Sequence, residues 1–249
     1  MQLVVTLLFL LFLVLLFWIG GKKGVRALIS FGVTIVLFVE VILPLIIHGQ
    51  NPVVVVLLAA LPMLALIIYC TEGFSTLSHL SVVATAVNFF CLSFLIEISV
   101  RFAHLTGMVS DEASSVGASG INLPQLLVAG MLLGTLGVLT EMVVTQVATV
   151  FELAQSNPLS KAKELYAQAY AVGMAHLGSI ITTLFLVYAG VSLPTLVIFL
   201  GEHGALSHVL NYEPLVDEMI RTLVGTIGLI VAMPISTRVT IWWLRRNKG

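Results

Sequence analysis

The sequence predicts an all-α polytopic membrane protein with seven transmembrane helices, and three observations carry that prediction. First, 59% of the 249 residues are hydrophobic and only 9% are charged, against about 45–50% and about 25% in ordinary soluble domains. One packed core in water cannot bury that surplus, so lipid must solvate most of the chain. Second, the apolar residues fall in continuous runs close to the roughly 20 residues a helix needs to cross the hydrocarbon. A β-barrel would need alternating segments of about ten residues instead. Third, eight of the 11 basic residues fall in the segments 20–26, 152–172 and 245–249, which lie on one side when the runs are threaded alternately. The net charge of −1 offers no basic field to nucleic acid.

The runs cover residues 3–19, 27–47, 53–70, 81–100, 123–151, 173–200 and 217–244. The first resembles a secretory leader in length, but a leader carries its positive charges before the apolar region. Here Lys22, Lys23 and Arg26 follow it, so it reads as a retained anchor with its N-terminus outside. The cytoplasmic segments are then 20–26, 71–80, 152–172 and 245–249. They hold Lys22, Lys23, Arg26, Lys161, Lys163, Arg245, Arg246 and Lys248, whereas the outer side has only Arg101 and Arg221. That bias places the C-terminus in the cytoplasm. Arg238, inside the last run, can snorkel inward. The outer loops carry Asp111, Glu112, Glu202, Glu213, Asp217 and Glu218.

The longest connections, 101–122 and 152–172, are too small to form domains. The chain is therefore one transmembrane domain, 1–249, divided into an anchor helix (1–21) and a six-helix core (22–249). In the inner connection Ser160 is placed to cap a short helix starting at Lys161, after a turn at Asn157-Pro158. Pro44, Pro62, Pro194 and Pro234 are expected to kink or end helices. Cys70 and Cys91 read as small buried hydrophobes.

Ionisable groups at membrane depth cost roughly 2.5–3.5 kcal/mol each on insertion scales, so each needs a reason. Glu141 lies near mid-bilayer. Gly130, Gly134, Gly137 and Glu141 follow one another at spacings of 4, 3 and 4, which puts them on one helix stripe where a neighbouring helix can approach closely. Glu141 is thereby expected to face protein or a cavity and to act as a proton or cation carrier. The plainer alternative is a protonated carboxyl making one interhelical hydrogen bond. In the next run His176, Ser179 and Thr183 share a face. Counting from the middle of the 152–172 connection puts Thr182 and Thr183 at the depth of Glu141, with His176 roughly 10 Å nearer the cytoplasm. That ladder fits a proton path. A wetted interfacial histidine is the alternative for His176.

Glu97 and Arg101, spaced i and i+4, read as an anchoring pair. Glu40 has Asn88 and Ser93 available to it on another helix. His203 and His208, near Glu202 and Glu213, match no strong metal-ligand spacing, and no metal or cofactor is expected. No HExxH, Walker loop or GxSxG occurs, so an enzyme is not expected. The last run has no lysine between Asp217 and Leu244, which excludes a retinal Schiff base there. A scaffold subunit and a membrane sensor remain as alternatives to a transport function.

The stretches LGTLGVLTEMVVTQVATVFELAQSNP, VGMAHLGSIITTLFLVYAG and NYEPLVDEMIRTLVGTIGLIVAMP resemble the YibE/F family, as does the opening GKKGVRALISF with LPLIIHGQNP. Together they cover about residues 20–240. The size resembles the YibF-type member of a pair. The family in turn resembles one half of the membrane core of RND permeases and SecD/SecF translocation subunits. That resemblance implies a transport component of the bacterial cytoplasmic membrane, coupled to a proton or cation gradient. Its partner would be a YibE-type subunit with an extracytoplasmic domain, or a second copy. Glu141 would titrate, Ser179, Thr182 and Thr183 would be its polar neighbours, and His176 the inner relay. Gly130, Gly134, Gly137, Gly225 and Gly228 would permit close helix contact. Two positions depart from the family pattern. Glu141-Met142 stands where Asp-Val is usual, and Gly173-Met174-Ala175 where a Gly-Arg-Asp-like triplet is expected, so the second acidic residue is missing.

Overall fold

The computed structural model describes residues 1–203 and 206–247, apart from the side chains of 111, 112, 202, 203 and 206–208. In chain order the helices are α1 (Gln2–Leu37), one π-helical turn (Phe38–Ile42), α2 (Leu43–Ile47), α3 (Pro52–Glu72) and α4 (Thr76–Phe102). They continue with α5 (Asp111–Ala118), α6 (Leu123–Ser156), α7 (Ala162–Val191), α8 (Leu193–His203), a 3-10 segment (Leu206–Asn211) and α9 (Glu213–Arg246). Among the described residues six stretches are long and apolar enough to cross a membrane: Gln2–Ile47, α3, α4, α6, α7 and α9. Among the described residues there is no strand.

Helix starts follow local chemistry. Asn51, Ser75, Ser110 and Asn122 accept backbone N–H groups at the first turns of α3, α4, α5 and α6, the usual role of these residue types. Pro194 stands at the first turn of α8, where a missing N–H costs nothing, whereas Pro44 follows the π-helical turn inside helical backbone that continues from α1 into α2. Pro62 and Pro234 likewise lie inside α3 and α9, which continue through them.

The stretch Gln2–Ile47 is not straight. Gly21 has φ 51° and ψ −133°, a conformation open to glycine and strained for other residues. Along a straight helix Phe12 and Phe31 would be roughly 28 Å apart, yet their ring centroids lie 6.1 Å apart. The chain therefore doubles back at Gly21, and the two legs lie side by side. The contact is tight at Gly24, where an added Cβ would sit 2.1 Å from the Leu16 carbonyl oxygen. Gly24→Ala is expected to part the legs. A disulfide between Phe12→Cys and Phe31→Cys should form in the parent chain and fail when Gly24→Ala is added; equal yields would refute the close pairing.

α6 is the central element, packed against α3, α4, α7 and α9, while α1 touches only α3 and the π-helical turn. Phe89, Leu132, Leu139, Met142 and Leu229 are fully buried in the resulting core. Gly228 fits closely against Leu92, 2.8 Å from where a Cβ would stand, whereas a Cβ on Gly225 would meet Thr135 and Leu184 at the ordinary contact distances of 3.5 and 3.7 Å. Each cysteine departs from its sequence reading: Cys91 is exposed and Cys70 half-buried. Both lie on helix faces that no other helix of this chain covers completely.

Three sequence expectations need correction around α7. The span begins at Ala162, not 173, and stops at Val191; α8 is a separate helix. Ser160 does not cap it. Lys161 is the N-cap residue, its N–H donating to the Glu164 carboxylate at 3.1 Å, and the Ser160 carbonyl accepts from the Arg245 guanidinium instead. The helix is also long, because nothing between Ala162 and Val191 breaks it: Gly173, Gly178 and Gly190 are tolerated when neighbours supply packing.

Candidate functional site

The expected site residues converge in part. Glu141 of α6 and His176, Ser179 and Thr183 of α7 line one cleft of about 310 Å³, together with Gly134, Val138 and Tyr188. Thr182 is not among its lining residues; it sits on the exposed flank of α7 and its hydroxyl donates to the Gly178 carbonyl at 3.0 Å.

The depths also shift. Gly173 packs on Gln146, and the reversal is the short segment between Ser156 and Ala162. The turn is thus centred near residue 159, not at the middle of a 152–172 loop. Every α7 residue moves about one helical turn relative to α6. Glu141 lies level with Gly178 and Ser179, with His176 about 3 Å inward and Thr183 about 7 Å outward.

The cleft is open on one side. Glu141, Gly134 and Gly137 are exposed in the single chain, and a Cβ on Gly137 would meet nothing within 4 Å. The stripe is therefore covered unevenly: its outer part meets side chains of α7 and α9, whereas Gly137 has no neighbour in this chain, contrary to the sequence expectation of close helix contact along its whole length. At Gly134 the nearest atom is the Tyr188 hydroxyl, 3.3 Å from an added Cβ, and at Gly130 it is Arg221 at 3.9 Å.

The cleft is rich in hydrogen-bond acceptors. The Thr183 hydroxyl donates to the Ser179 carbonyl at 3.0 Å, so its oxygen lone pairs remain as acceptors. The Nε2 of His176 is buried with no hydrogen-bond partner. Among the described residues Glu141 forms no ion pair. A carboxylate, a hydroxyl oxygen and an imidazole around one space can hold a proton or a small cation, and the Ser179 and Tyr188 hydroxyls beside them can donate or accept.

One feature of the site escapes the sequence reading, in which Asp217, Glu218 and Arg221 are simply outer charges. In the structure Arg221 bonds to Asp217 at 3.1 Å and approaches Glu218 at 3.3 Å. Its guanidinium also lies over the Tyr188 ring, 5.9 Å from the centroid. This cluster backs the outer end of the cleft. The i, i+1 and i+4 spacing at the start of α9 gives the ion pairing; the contact with Tyr188 depends on how α7 packs against α9. Asp217 is only 3% exposed, and its Oδ1 has no hydrogen-bond partner. Arg221→Met is expected to destabilise the fold by roughly 3–5 kcal/mol, because it leaves a buried carboxylate uncompensated. Thermal unfolding in detergent reads this; an unchanged midpoint would mean that water already solvates Asp217.

The other candidates resolve simply. Glu97 and Arg101 pair at 2.7 Å on the surface. Asn88 donates to the Ala84 carbonyl and Ser93 to that of Phe90, so neither meets Glu40, which is exposed on the π-helical turn. Glu213 holds the Thr106 and Gly107 N–H groups at 2.5 and 2.8 Å. The side chains of Glu202, His203 and His208 fall outside those described, and no cluster suited to a metal occurs among the described residues.

A bundle of long apolar helices with a polar cleft between two of them defines an integral membrane protein. The chain matches the model of the family described as YibE/F-like protein over residues 8–246, and it belongs to that family. No curated protein and no solved structure matches it.

Proposed function

We propose that the chain is a transport component of the bacterial cytoplasmic membrane, coupled to a proton or cation gradient through Glu141. The observation that carries this reading is the gathering of Glu141, His176, Ser179 and Thr183 around one acceptor-lined cleft. Intramembrane carboxylates are functional by default. The proposal includes seven crossings, N-terminus outside and C-terminus in the cytoplasm. The reversal at Gly21 supports it, since it splits Gln2–Ile47 into two legs, of which the first is about 28 Å long against roughly 30 Å of hydrocarbon. In that arrangement Arg26 near Gly73 and Arg245 on Ser160 lie at the cytoplasmic end.

The open side of the cleft requires a cover, because an exposed carboxylate facing lipid is costly. A YibE-type subunit or a second copy supplies it, giving an RND-like pair of halves. No enzymatic step is assigned. Infrared difference spectroscopy of the protein in lipid tests the reading: a protonated-carboxyl band should respond to pH and disappear in Glu141→Gln. A pH response identical in the two proteins would remove Glu141 from the coupling. A second reading, a structural subunit that only stabilises its partner, is favoured by the bare Gly137 surface.

A further inference from the structure

We propose that the recess between the start of α7 and the end of α9 is a headgroup site for an anionic glycerophospholipid. It rests on the chain being embedded in a bilayer and is independent of ion coupling at Glu141. The recess, about 760 Å³, is lined by Lys163, Arg238, Arg245 and Arg246 with Tyr166 and Trp242. Four cations from two helices thus face one space. None of them has a carboxylate partner among the described residues, where the ion pairs are confined to the outer ends of α4 and α9. The one acid on α7, Glu164, accepts from the Lys161 N–H at the helix start and forms no ion pair with these cations.

The cations are also positioned. The Arg238 guanidinium lies over the Tyr166 ring at 5.6 Å and that of Arg246 over Trp242 at 5.3 Å. Tyr166 stacks in turn on Tyr170. Stacking fixes the plane of a guanidinium and leaves its edge N–H groups free, which suits the paired oxygens of a phosphodiester. Arg245 is anchored to the Ser160 carbonyl.

Depth selects the source of the phosphate. Arg238 and Arg246 are separated by roughly 12 Å along α9, so together they span a headgroup layer of about 5–8 Å and reach into its border on the hydrocarbon. Trp242, 59% exposed, lies between them, as aromatic side chains do at that border. Ile241 and Trp242 offer an apolar wall where a lipid continues into its acyl chains. Free phosphate has nothing to place there. Basic recesses between membrane helices recognise lipid headgroups by this combination.

Native mass spectrometry of the full chain, released from nanodiscs of phosphatidylcholine with or without phosphatidylglycerol, tests the proposal. Phosphatidylglycerol should remain bound in preference to phosphatidylcholine, and inorganic phosphate added in excess should not displace it. Removing two cations with Arg238→Gln and Arg246→Gln should lower retention by roughly 25-fold, about fivefold for each charge. The control pair Lys22→Gln and Lys23→Gln, basic residues away from the recess, should leave it unchanged. Equal retention of the two lipids by the parent chain overturns the site whether or not the variants fold. Displacement by phosphate assigns the recess to the free anion, and an equal loss in the lysine pair reduces it to general surface charge; either result also overturns the proposal.

Discussion

Gly173→Leu is expected to prevent the inner half of the bundle from assembling. Gly173 is buried, and even a bare Cβ there would lie 2.5 Å from the Gln146 Oε1 and 3.0 Å from the Met233 Cγ. The obstruction cannot simply swing aside. The Gln146 amide donates to the Ala169 carbonyl at 3.0 Å and to the Thr237 hydroxyl at 2.8 Å. Moving it breaks two buried hydrogen bonds at once, and orphaned buried polar groups cost about 1–3 kcal/mol each. Gly173→Ala should therefore be destabilising by roughly 1–3 kcal/mol through overpacking, and leucine should abolish folded yield. Gln146→Ala removes the obstruction and should partly rescue Gly173→Ala. Yield after detergent extraction and unfolding temperature read all three. A fully stable Gly173→Leu protein would contradict the packing of α7 on α6.

The second large effect concerns the open stripe. Gly137→Leu meets no atom of its own chain within 4 Å, so it is expected to leave the single chain folded. If a YibE-type subunit or a second copy covers the cleft, a leucine there should abolish the association entirely. Wild type extracted in mild detergent should run as an assembly larger than one chain, and Gly137→Leu as one chain of unchanged unfolding temperature. Glu141→Gln separates the two functional readings. It is expected to preserve the assembly while removing the pH response; loss of assembly instead would place the carboxyl in the interface and favour the structural reading. Identical assemblies in wild type and Gly137→Leu would mean that lipid alone covers the stripe.

Much of the architecture was legible because lipid imposes it. Continuous apolar runs, Asn and Ser caps and N-terminal prolines mark helices without knowledge of neighbours, and the family assignment rests on the same stretches. The reversal at Gly21 was anticipated by the end of one run and the start of another. What failed was register. The turn at Asn157-Pro158 does mark a helix start within one residue of Ala162, but the polar stretch 162–172 reads as a short helix apart from the next span until one sees Leu165 and Ala169 buried. That displacement moved His176 up to Glu141; Thr182 is out of the cleft for another reason, since it lies off the face that His176, Ser179 and Thr183 share. Glu141, His176, Ser179 and Thr183 could be grouped from spacing alone, since helical periodicity fixes a face. Which object the face meets is a long-range property. The Arg221 cluster on Tyr188, and the Gln146 bonds to two other helices, join residues far apart in sequence, and no local pattern announces them.

The bonds around Gln146 have a mechanical consequence for the cleft. They fasten α7 near Ala169 and Gly173, below the level of Glu141, whereas the part of α7 beyond Ser179 borders empty space on one side. The opposite face of α7 is nevertheless seated in the core through Ile180 and Leu184, and Tyr188 lies under the Arg221 guanidinium. The helix is thus a beam supported on both sides of Glu141, and neither end lifts without disturbing buried contacts. Whatever enters the cleft does so most easily from its bare flank beside Gly137.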